Sequence, residues 1–282
     1  MQTRWARYGA FLLVLLLLTA CGRQSAVTAG GGAEIPEEIL GELDEETLQD
    51  LVEEPKYVAL TFDDGPRRDT TSVLLDGLLE RGVPATFFVI GQQIPGNEDL
   101  LRRMAAEGHQ VGNHTYGHTR LLTADPDKVV EEIQKTEVLL KELLGEGDYW
   151  LRPPYGSIGK TRAALVKTPM IYWTVDPEDW KVLDAAKVTE HVVSHVEPWG
   201  IILLHDFYPT SVSAALDIVD RLQAEGYTFV TVKELFRIRG VEPQAGCLYA
   251  SPDKLRSLGC AMADKSNPSS AAPWDAPGGD MA

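Results

Sequence analysis

The sequence is poor in cysteine and has no apolar run long enough to cross a membrane. Only Cys21, Cys247 and Cys260 occur among its 282 residues, and two cysteines alone would make a poor zinc site. The unbroken apolar stretch at residues 11–18 is much shorter than the roughly 20 residues of a transmembrane helix. It therefore does not predict a retained membrane span, although the 44% hydrophobic content predicts a globular protein with a sizeable core.

The short apolar stretch has the flanks of a secretory signal. Arg4 and Arg7 precede it, and Leu18-Thr19-Ala20-Cys21 follows, which gives a charged start, an apolar centre and a small-residue cleavage site. The last four residues resemble the bacterial lipobox, whose cysteine is acylated and begins the mature chain. We therefore predict that residues 1–20 are a lipoprotein signal peptide and that lipid on Cys21 anchors an extracytoplasmic protein to the bacterial membrane. An ordinary signal peptide with an incidental cysteine is the alternative.

Positive charge is missing from residues 34–54, where ten acidic residues have no lysine or arginine among them. Together with the formal net charge of −16, this run argues against nucleic-acid binding and against docking on anionic lipid. We interpret residues 21–55 as a flexible acidic spacer, because Gly30-Gly31-Gly32 is typical of linkers.

The C-terminal residues also differ from the middle of the chain. Residues 263–282 are rich in Ser, Ala, Pro, Gly and Asp, so we predict that the C-terminal extension, residues 241–282, is largely disordered. In an oxidising compartment an even number of remaining cysteines favours a disulfide between Cys247 and Cys260. Two free thiols are the alternative.

The middle of the chain alternates short apolar runs with longer amphipathic stretches. Such alternation predicts a parallel sheet with crossover helices, an α/β fold. We predict a (β/α) barrel with fewer than eight repeats, and a doubly wound open sheet is the competing architecture. The predicted strands are 57–61, 85–90, 110–113, 149–151, 170–175, 200–204 and 227–232, and the predicted helices are 70–81, 98–107, 127–144, 185–196 and 211–225.

Compact polar motifs follow five of these predicted strands. In a parallel barrel the catalytic groups lie where strands end and the next loops begin, so all five motifs would face one end of the barrel. The motifs are Asp63-Asp64-Gly65-Pro66, His114-Thr115-Tyr116-Gly117-His118, Arg152-Pro153-Pro154-Tyr155-Gly156, Asp176-Pro177-Glu178-Asp179-Trp180 and His205-Asp206.

The residue types in these motifs predict metal-assisted hydrolysis of an amide or ester. Two imidazoles and one carboxylate, from His114, His118 and Asp64, make a three-ligand metal site that leaves coordination positions open. Adjacent carboxylates repel unless a cation neutralises one of them. With Asp64 on the metal, Asp63 is free to take a proton from the attacking water as general base. His205 is the candidate acid for the leaving group.

Arg152 has a positioning role in this hypothesis. Its guanidinium can fix the geometry of Asp63 through a bidentate contact. A structural salt bridge is the alternative for Arg152, but the flanking prolines make its loop rigid and favour a site residue.

These motifs resemble the polysaccharide deacetylase family, carbohydrate esterase family 4. The resemblance covers residues 56–240, which we predict to be the catalytic domain, and extends to five ordered motifs. The matching segments are Thr61-Phe62-Asp63-Asp64-Gly65-Pro66, His114-Thr115-x-x-His118, Arg152-Pro153-Pro154-Tyr155-Gly156, Asp176-x-x-Asp179-Trp180 and Leu203-x-His205-Asp206.

The resemblance implies a distorted barrel and a divalent metal, usually Zn²⁺, with Co²⁺ or Ni²⁺ as alternatives. The metal ligands, the general base and the general acid that it implies are the same residues that the residue types predict. It further implies that the Tyr155 backbone N–H faces the oxyanion, that Asp179 tunes His205, and that Trp180 and Leu203 form the acetyl pocket.

Several rival interpretations remain open from the sequence. His191 and His195 repeat the spacing of the predicted metal histidines, but on a helix and without the metalloprotease His-Glu-x-x-His pattern, so we interpret both as partly exposed helix residues. Two histidines and a carboxylate also bind iron in oxygenases, although those folds are β-rich. A non-catalytic carbohydrate-binding relative would have lost a site residue, and none is lost.

The predicted substrate is an N-acetylated extracellular polysaccharide. A lipoprotein lies beside peptidoglycan, so the N-acetylglucosamine of its glycan strands is the first choice, and chitooligosaccharides or acetylated xylan are the alternatives. We expect the protein to be a monomer.

Overall fold

The computed structural model describes residues 26–28, 34–36 and 55–256. The chain divides into two compact units, residues 1–55 and 56–282. In the first unit, strand β1 (Ala26–Thr28) pairs antiparallel with strand β2 (Glu34–Pro36), within the predicted spacer. The predicted signal peptide, Cys21, most of the spacer and Cys260 lie outside the described residues. Among the residues that are described, no helix is both long and apolar enough to span a bilayer.

The second unit is built on a parallel sheet with strand β3 at its centre. This strand is buried almost throughout, because one of its faces packs under helices and the other packs against side chains of neighbouring strands. It pairs with β4, β7 and β8, and β4 pairs with β5. The strands are β3 (Lys56–Asp63), β4 (Thr86–Val89), β5 (Gln110–Asn113), β7 (Gly200–His205) and β8 (Tyr227–Phe229).

Single backbone pairs close this sheet into a distorted barrel of fewer than eight repeats. Leu151 bridges Asn113 on one side and Met170 on the other, and Val175 bridges Ile202 of β7. The predicted strands at 149–151 and 170–175 were therefore too long. The first is reduced to the pair at Leu151, and the second to strand β6 (Met170–Ile171) followed by the bridge at Val175. Both runs are apolar because they are buried, and burial alone does not produce an extended ladder.

Helices fill the connections between these strands. Two of them have clear end signals: Thr231 and Glu234 form a capping box, and Gly82 ends the first helix in the left-handed conformation. The helices are α1 (Thr71–Arg81), α2 (Glu98–Ala106), α3 (Pro126–Leu144), α4 (Lys160–Ala163), α5 (Asp179–Val182), α6 (Ala185–His195), α7 (Pro209–Ala224) and α8 (Val232–Arg239).

The core lies on both faces of the sheet. Along β3, Val58 and Leu60 pack in a cluster that contains the buried side chains of α1 and α7. Ala59, which points the other way, belongs to a second cluster with Phe236 and Tyr249. This division follows from the two-residue period of a strand, which sends successive side chains to opposite faces.

The folded domain extends beyond the predicted boundary at residue 240. Strand β9 (Leu248–Ser251) pairs antiparallel with β10 (Lys254–Arg256) and parallel with β6, so this hairpin continues the sheet. The prediction of a largely disordered extension is therefore wrong for residues 241–256. The sequence pattern does not predict β9 and β10, because they are only 4 and 3 residues long. Cys247, buried directly before β9, is disulfide-bonded. Its pairing with Cys260 stays a prediction.

We expect Tyr249→Ala to reduce the free energy of unfolding by about 3–4 kcal/mol, the usual cost of truncating a buried aromatic side chain. The Tyr249 ring is 3% exposed and meets the Phe236 ring edge-on at 5.4 Å between centroids. Urea unfolding measures the change. Val138→Ala, at a position that is 53% exposed, is the control and should change the free energy by less than about 0.5 kcal/mol. Equal stability of both variants would mean that the hairpin is not part of the cooperative domain.

Candidate active site

The register of the sheet brings two of the predicted motifs side by side. Asp63 at the end of β3 is the partner of His205 at the end of β7. Because parallel strands end at the same edge, the loops that follow them share one face of the barrel. Several non-glycine residues at this face have positive φ, which is uncommon and typical of functional loops. They are Asp64, Thr115, His118, Tyr155 and Glu178.

Asp64, His114 and His118 form a cluster that could hold a metal ion. One ligand atom from each residue lies within 4.8 Å of the other two. Asp64 Oδ1 lies 3.5 Å from His114 Nε2 and 3.4 Å from His118 Nε2. Burial, followed by the nearby His114, lowers the pKa of His118, which favours the neutral imidazole that a metal needs.

Two observations fit this cluster to a cation. Asp64 Oδ1 is buried and has no hydrogen-bond partner, an arrangement that is costly unless another group satisfies the oxygen. His114 Nδ1 lies 2.7 Å from the Arg152 carbonyl oxygen. If Nδ1 carries the proton and donates it there, the lone pair of Nε2 faces the cluster, as in the second shell of metal-binding histidines.

Asp63 is held beside this cluster by Arg152. The Arg152 guanidinium is fully buried, and its Nη1 donates to Asp63 Oδ1 at 2.8 Å. The predicted bidentate contact is wrong, because Nη2 and Nε donate instead to the carbonyls of Tyr172 and Ile171. Arg152 therefore restrains one oxygen of Asp63 and leaves Oδ2, which lies 3.7 Å from His114 Nε2, facing the cluster.

The charge state of Asp63 follows from its surroundings. Burial raises the pKa of Asp63, but Arg152, His114 and His205 outweigh burial, so the pKa lies below its usual value. Asp63 is therefore a carboxylate at neutral pH, able to accept a proton.

His205 and Asp179 form a second polar pair at the same face. His205 Nδ1 lies 2.7 Å from Asp179 Oδ1, and the His205 backbone N–H donates to Asp179 Oδ2 at 2.9 Å. Burial lowers the pKa of His205, but the hydrogen bond and the charge of Asp179 outweigh it and raise this pKa to about 9. The imidazole is therefore protonated at neutral pH, as a general acid requires.

Two further residues of the site have roles that the sequence analysis did not assign. Thr61 Oγ1 accepts a hydrogen bond from Arg152 Nη1 at 2.7 Å and donates to the Ile202 carbonyl at 2.6 Å, so it fixes the guanidinium against β7. Asp206 is fully buried, and burial raises its pKa to about 7. A side chain at Gly65 would overlap the Asp206 carboxylate, which explains glycine there. The sequence signal for Thr61 was its place at the start of the first family motif.

The predicted substrate contacts differ in exposure. Leu203 is 3% exposed and lies on β7, two residues before His205. Trp180 is 41% exposed and Tyr155 is 55% exposed, so both can contact a ligand from solution. The Tyr155 ring packs against the His118 ring, with 4.7 Å between centroids.

The histidines outside the motifs are elsewhere in the fold. His191 and His195 stack on each other at 4.3 Å on exposed turns of α6. Because His109 follows Gly108 at a predicted helix end, we predict a helix C-terminal residue that interacts with the helix dipole. Its backbone N–H does donate to the Met104 carbonyl at the end of α2, but the prediction is wrong for the ring. Burial lowers the pKa of His109 to about 4, and its Nδ1 accepts the Ala85 backbone N–H.

Comparisons with known proteins identify the family of this chain. The family model described as polysaccharide deacetylase matches residues 51–171. The peptidoglycan-N-acetylglucosamine deacetylase PgdA of Listeria monocytogenes is 39% identical over 194 residues, 69% of this chain and 41% of the relative. A peptidoglycan-N-acetylglucosamine deacetylase of Bacillus cereus is 37% identical, over 64% of this chain and 68% of that protein. The chain belongs to the polysaccharide deacetylase family.

The polysaccharide deacetylase fold is also seen in similar solved structures. A family 4 acetyl xylan esterase from Clostridium thermocellum, in complex with a cobalt ion, is 32% identical with a TM-score of 0.67. The match covers 70% of this chain and 98% of the esterase. The chain spans less than half, 41%, of the length of the Listeria relative.

Proposed function

We propose that this chain is a metal-dependent deacetylase that hydrolyses N-acetyl groups on an extracytoplasmic polysaccharide, the N-acetylglucosamine of peptidoglycan. The observation that carries the proposal is the combination of a metal cluster with a separate base and acid. Asp63 is ionised beside the cluster, and His205 is protonated on the neighbouring strand. An oxygenase has no need of such a pair, whereas amide hydrolysis needs both proton transfers.

Asp64, His114 and His118 would hold the metal. When bound there, a divalent cation polarises the acetyl carbonyl and makes water more acidic. Zinc is the proposed metal, since histidine nitrogen and carboxylate oxygen in a three-residue site are typical of catalytic zinc. The match to the cobalt-containing esterase supports a site that accepts other divalent cations.

The protein groups carry the protons in this mechanism. Asp63 Oδ2 accepts the proton of the attacking water, while Arg152 holds Oδ1 and keeps the carboxylate aligned. His205 donates a proton to the departing amine, and Asp179 keeps the imidazole charged and oriented. The Tyr155 backbone N–H is proposed to stabilise the oxyanion, and Leu203 and Trp180 to line the acetyl pocket. One copy of the chain contains all these groups, so we propose a monomer.

The proposed location supports the choice of substrate. The two bacterial relatives are named for peptidoglycan N-acetylglucosamine. We further propose that lipid on Cys21 tethers the protein outside the cytoplasmic membrane, where the acidic spacer keeps the domain within reach of the wall. Mass spectrometry of the membrane-extracted protein tests the lipid, and a Cys21→Ser variant released from membranes supports it.

We expect the purified chain to release acetate from peptidoglycan faster than from chitooligosaccharides or acetylated xylan. Acetate is measured enzymatically, with and without a chelator. Because the metal polarises the carbonyl, chelation should lower the rate at least about a hundredfold, and zinc should restore it. Faster acetate release from chitooligosaccharides or acetylated xylan would show that the proposed substrate is wrong. Release from none of the three would overturn the enzymatic proposal.

A further inference from the structure

Basic residues without carboxylate partners lie in the two segments that carry the second and third motifs. The chain has 42 acidic residues, yet none at positions 108–124 or 149–175, the segments that carry the second and third motifs. Elsewhere, arginines such as Arg68, Arg81 and Arg103 are paired with carboxylates. Within residues 55–256, Arg120, Lys160 and Arg162 have no carboxylate at ion-pair distance.

Arg120 is held at the mouth of the site by an aromatic contact. It is exposed, two residues after His118, and its guanidinium lies 4.2 Å from the centre of the Tyr155 ring. The same ring meets the His118 ring edge-on, so the three side chains form a row of contacts that leads from the metal cluster to exposed Arg120. A guanidinium stacked on an aromatic ring keeps its N–H groups at the ring edge free for a planar anion.

The neighbouring cations lie along the same side. Arg162 Nε donates to the Ala124 carbonyl at 3.3 Å, which ties α4 to the loop that follows Arg120. Lys160 lies on the exposed first turn of α4. A protein with a net charge of −16 would repel an acidic substrate, so cations beside the site direct where an anion can approach.

We propose that Arg120 is a specificity-determining residue that binds a carboxylate of the glycan next to the sugar being deacetylated. This inference rests on the proposed function and narrows its substrate to carboxylate-bearing strands. In peptidoglycan two sources supply that chemistry: the lactyl ether of the alternate sugar when its peptide is absent, and the acidic residues of the stem peptide. Lys160 and Arg162 extend the same positive surface outward. Chitooligosaccharides offer no carboxylate.

The test compares Arg120→Gln with the wild-type chain on four glycans. They are peptide-free peptidoglycan strands, the same strands with the lactyl carboxylates converted to amides, peptide-bearing strands, and chitooligosaccharides of equal length. We expect Arg120→Gln to raise KM about fivefold on carboxylate-bearing strands, the size of one charge-assisted contact at a partly exposed site. KM on the amidated strands and on chitooligosaccharides should change less than about twofold, and kcat should not change, because a uniform binding contact alters KM alone.

Two control variants separate charge from structure. Arg102→Gln removes the same charge from an exposed position on α2 and should leave KM unchanged on every glycan. Arg120→Lys keeps the charge but loses the planar guanidinium. Its KM, and the dependence of that KM on salt, should lie between those of Arg120→Gln and the wild-type chain. A larger effect on peptide-free strands assigns the lactyl carboxylate, and a larger effect on peptide-bearing strands assigns the stem peptide. Equal KM shifts on charged and neutral glycans would overturn the inference.

Binding of the same glycans is measured in the Asp63→Asn background, so that the inference does not depend on turnover. Weaker binding of charged strands by Arg120→Gln supports the carboxylate contact even if no glycan releases acetate, in which case the proposed function alone fails. Indifference of binding to Arg120→Gln would overturn the inference whether or not the wild-type chain is active.

Discussion

Asp63→Asn is expected to lower kcat at least about a thousandfold while metal binding and stability stay close to those of the wild-type chain, within the range for loss of a general base. Asparagine has the shape of aspartate, and its Oδ1 can still accept the hydrogen bond that Arg152 donates at 2.8 Å. It cannot accept a proton from water at neutral pH. The change therefore removes the base but leaves the buried guanidinium with a partner.

This experiment needs both acetate release and metal content as readouts. Asp76→Asn, on an exposed face of α1 and paired with Arg103, is the matched control and should keep full activity. If Asp63→Asn also loses the metal, Asp63 is a ligand and the separation of roles between Asp63 and Asp64 is wrong. If it retains activity above about a tenth of wild type, the base is another group, because a lost general base costs much more than that.

Asp179→Asn is expected to move the alkaline limit of activity to lower pH by more than two units. In the wild-type chain Asp179 raises the pKa of His205 to about 9, against an ordinary value of 6.5. A general acid works in its protonated form, so activity that depends on His205 is present below this pKa and is lost as pH rises above it. Without the hydrogen bond and charge of Asp179, burial lowers the pKa of His205 against only the smaller effects of Asp63 and Asp64.

At pH 8 the change should reduce kcat/KM about thirtyfold or more, because an imidazole with a pKa of about 6.5 is only about 3% protonated there. The measurement is the pH profile of kcat/KM between pH 5 and 10. Asp184→Asn, at the N-cap of α6, removes a charge that pairs with Lys187 and should leave the profile unchanged. An alkaline limit that stays near pH 9 in Asp179→Asn would show that another residue is the acid.

The sequence predicted the strand ends of the site better than the closure of the barrel. The motifs that contain Asp63 and His205 come directly after apolar strands, and the parallel register of those strands makes them neighbours. The catalytic residues of each motif are close together in sequence, since each motif begins where its strand ends. For the same reason, the residue types in the first two motifs are enough to predict the metal cluster.

The rest of the fold depends on contacts that are distant in sequence. The single backbone pairs at Leu151 and Val175 have the same apolar neighbours as a full strand, so hydrophobic pattern could not distinguish them. The hairpin at residues 248–256 is stabilised by β6, which lies nearly eighty positions earlier in the chain. The single contact of Arg152 with Asp63 also depends on carbonyls that the fold, and not the motif, places around the guanidinium.

Few backbone hydrogen bonds close the barrel, and this affects which substitutions the protein can accept during evolution. Where ladder hydrogen bonds are few, the buried Arg152 guanidinium contacts β3 through Thr61 and Asp63 and the β6 segment through the carbonyls of Ile171 and Tyr172. The Arg152 side chain thus joins β3 to the β6 segment and also aligns the catalytic base. A substitution at Arg152 would weaken folding and activity together, so selection for a stable protein alone would retain this part of the active site.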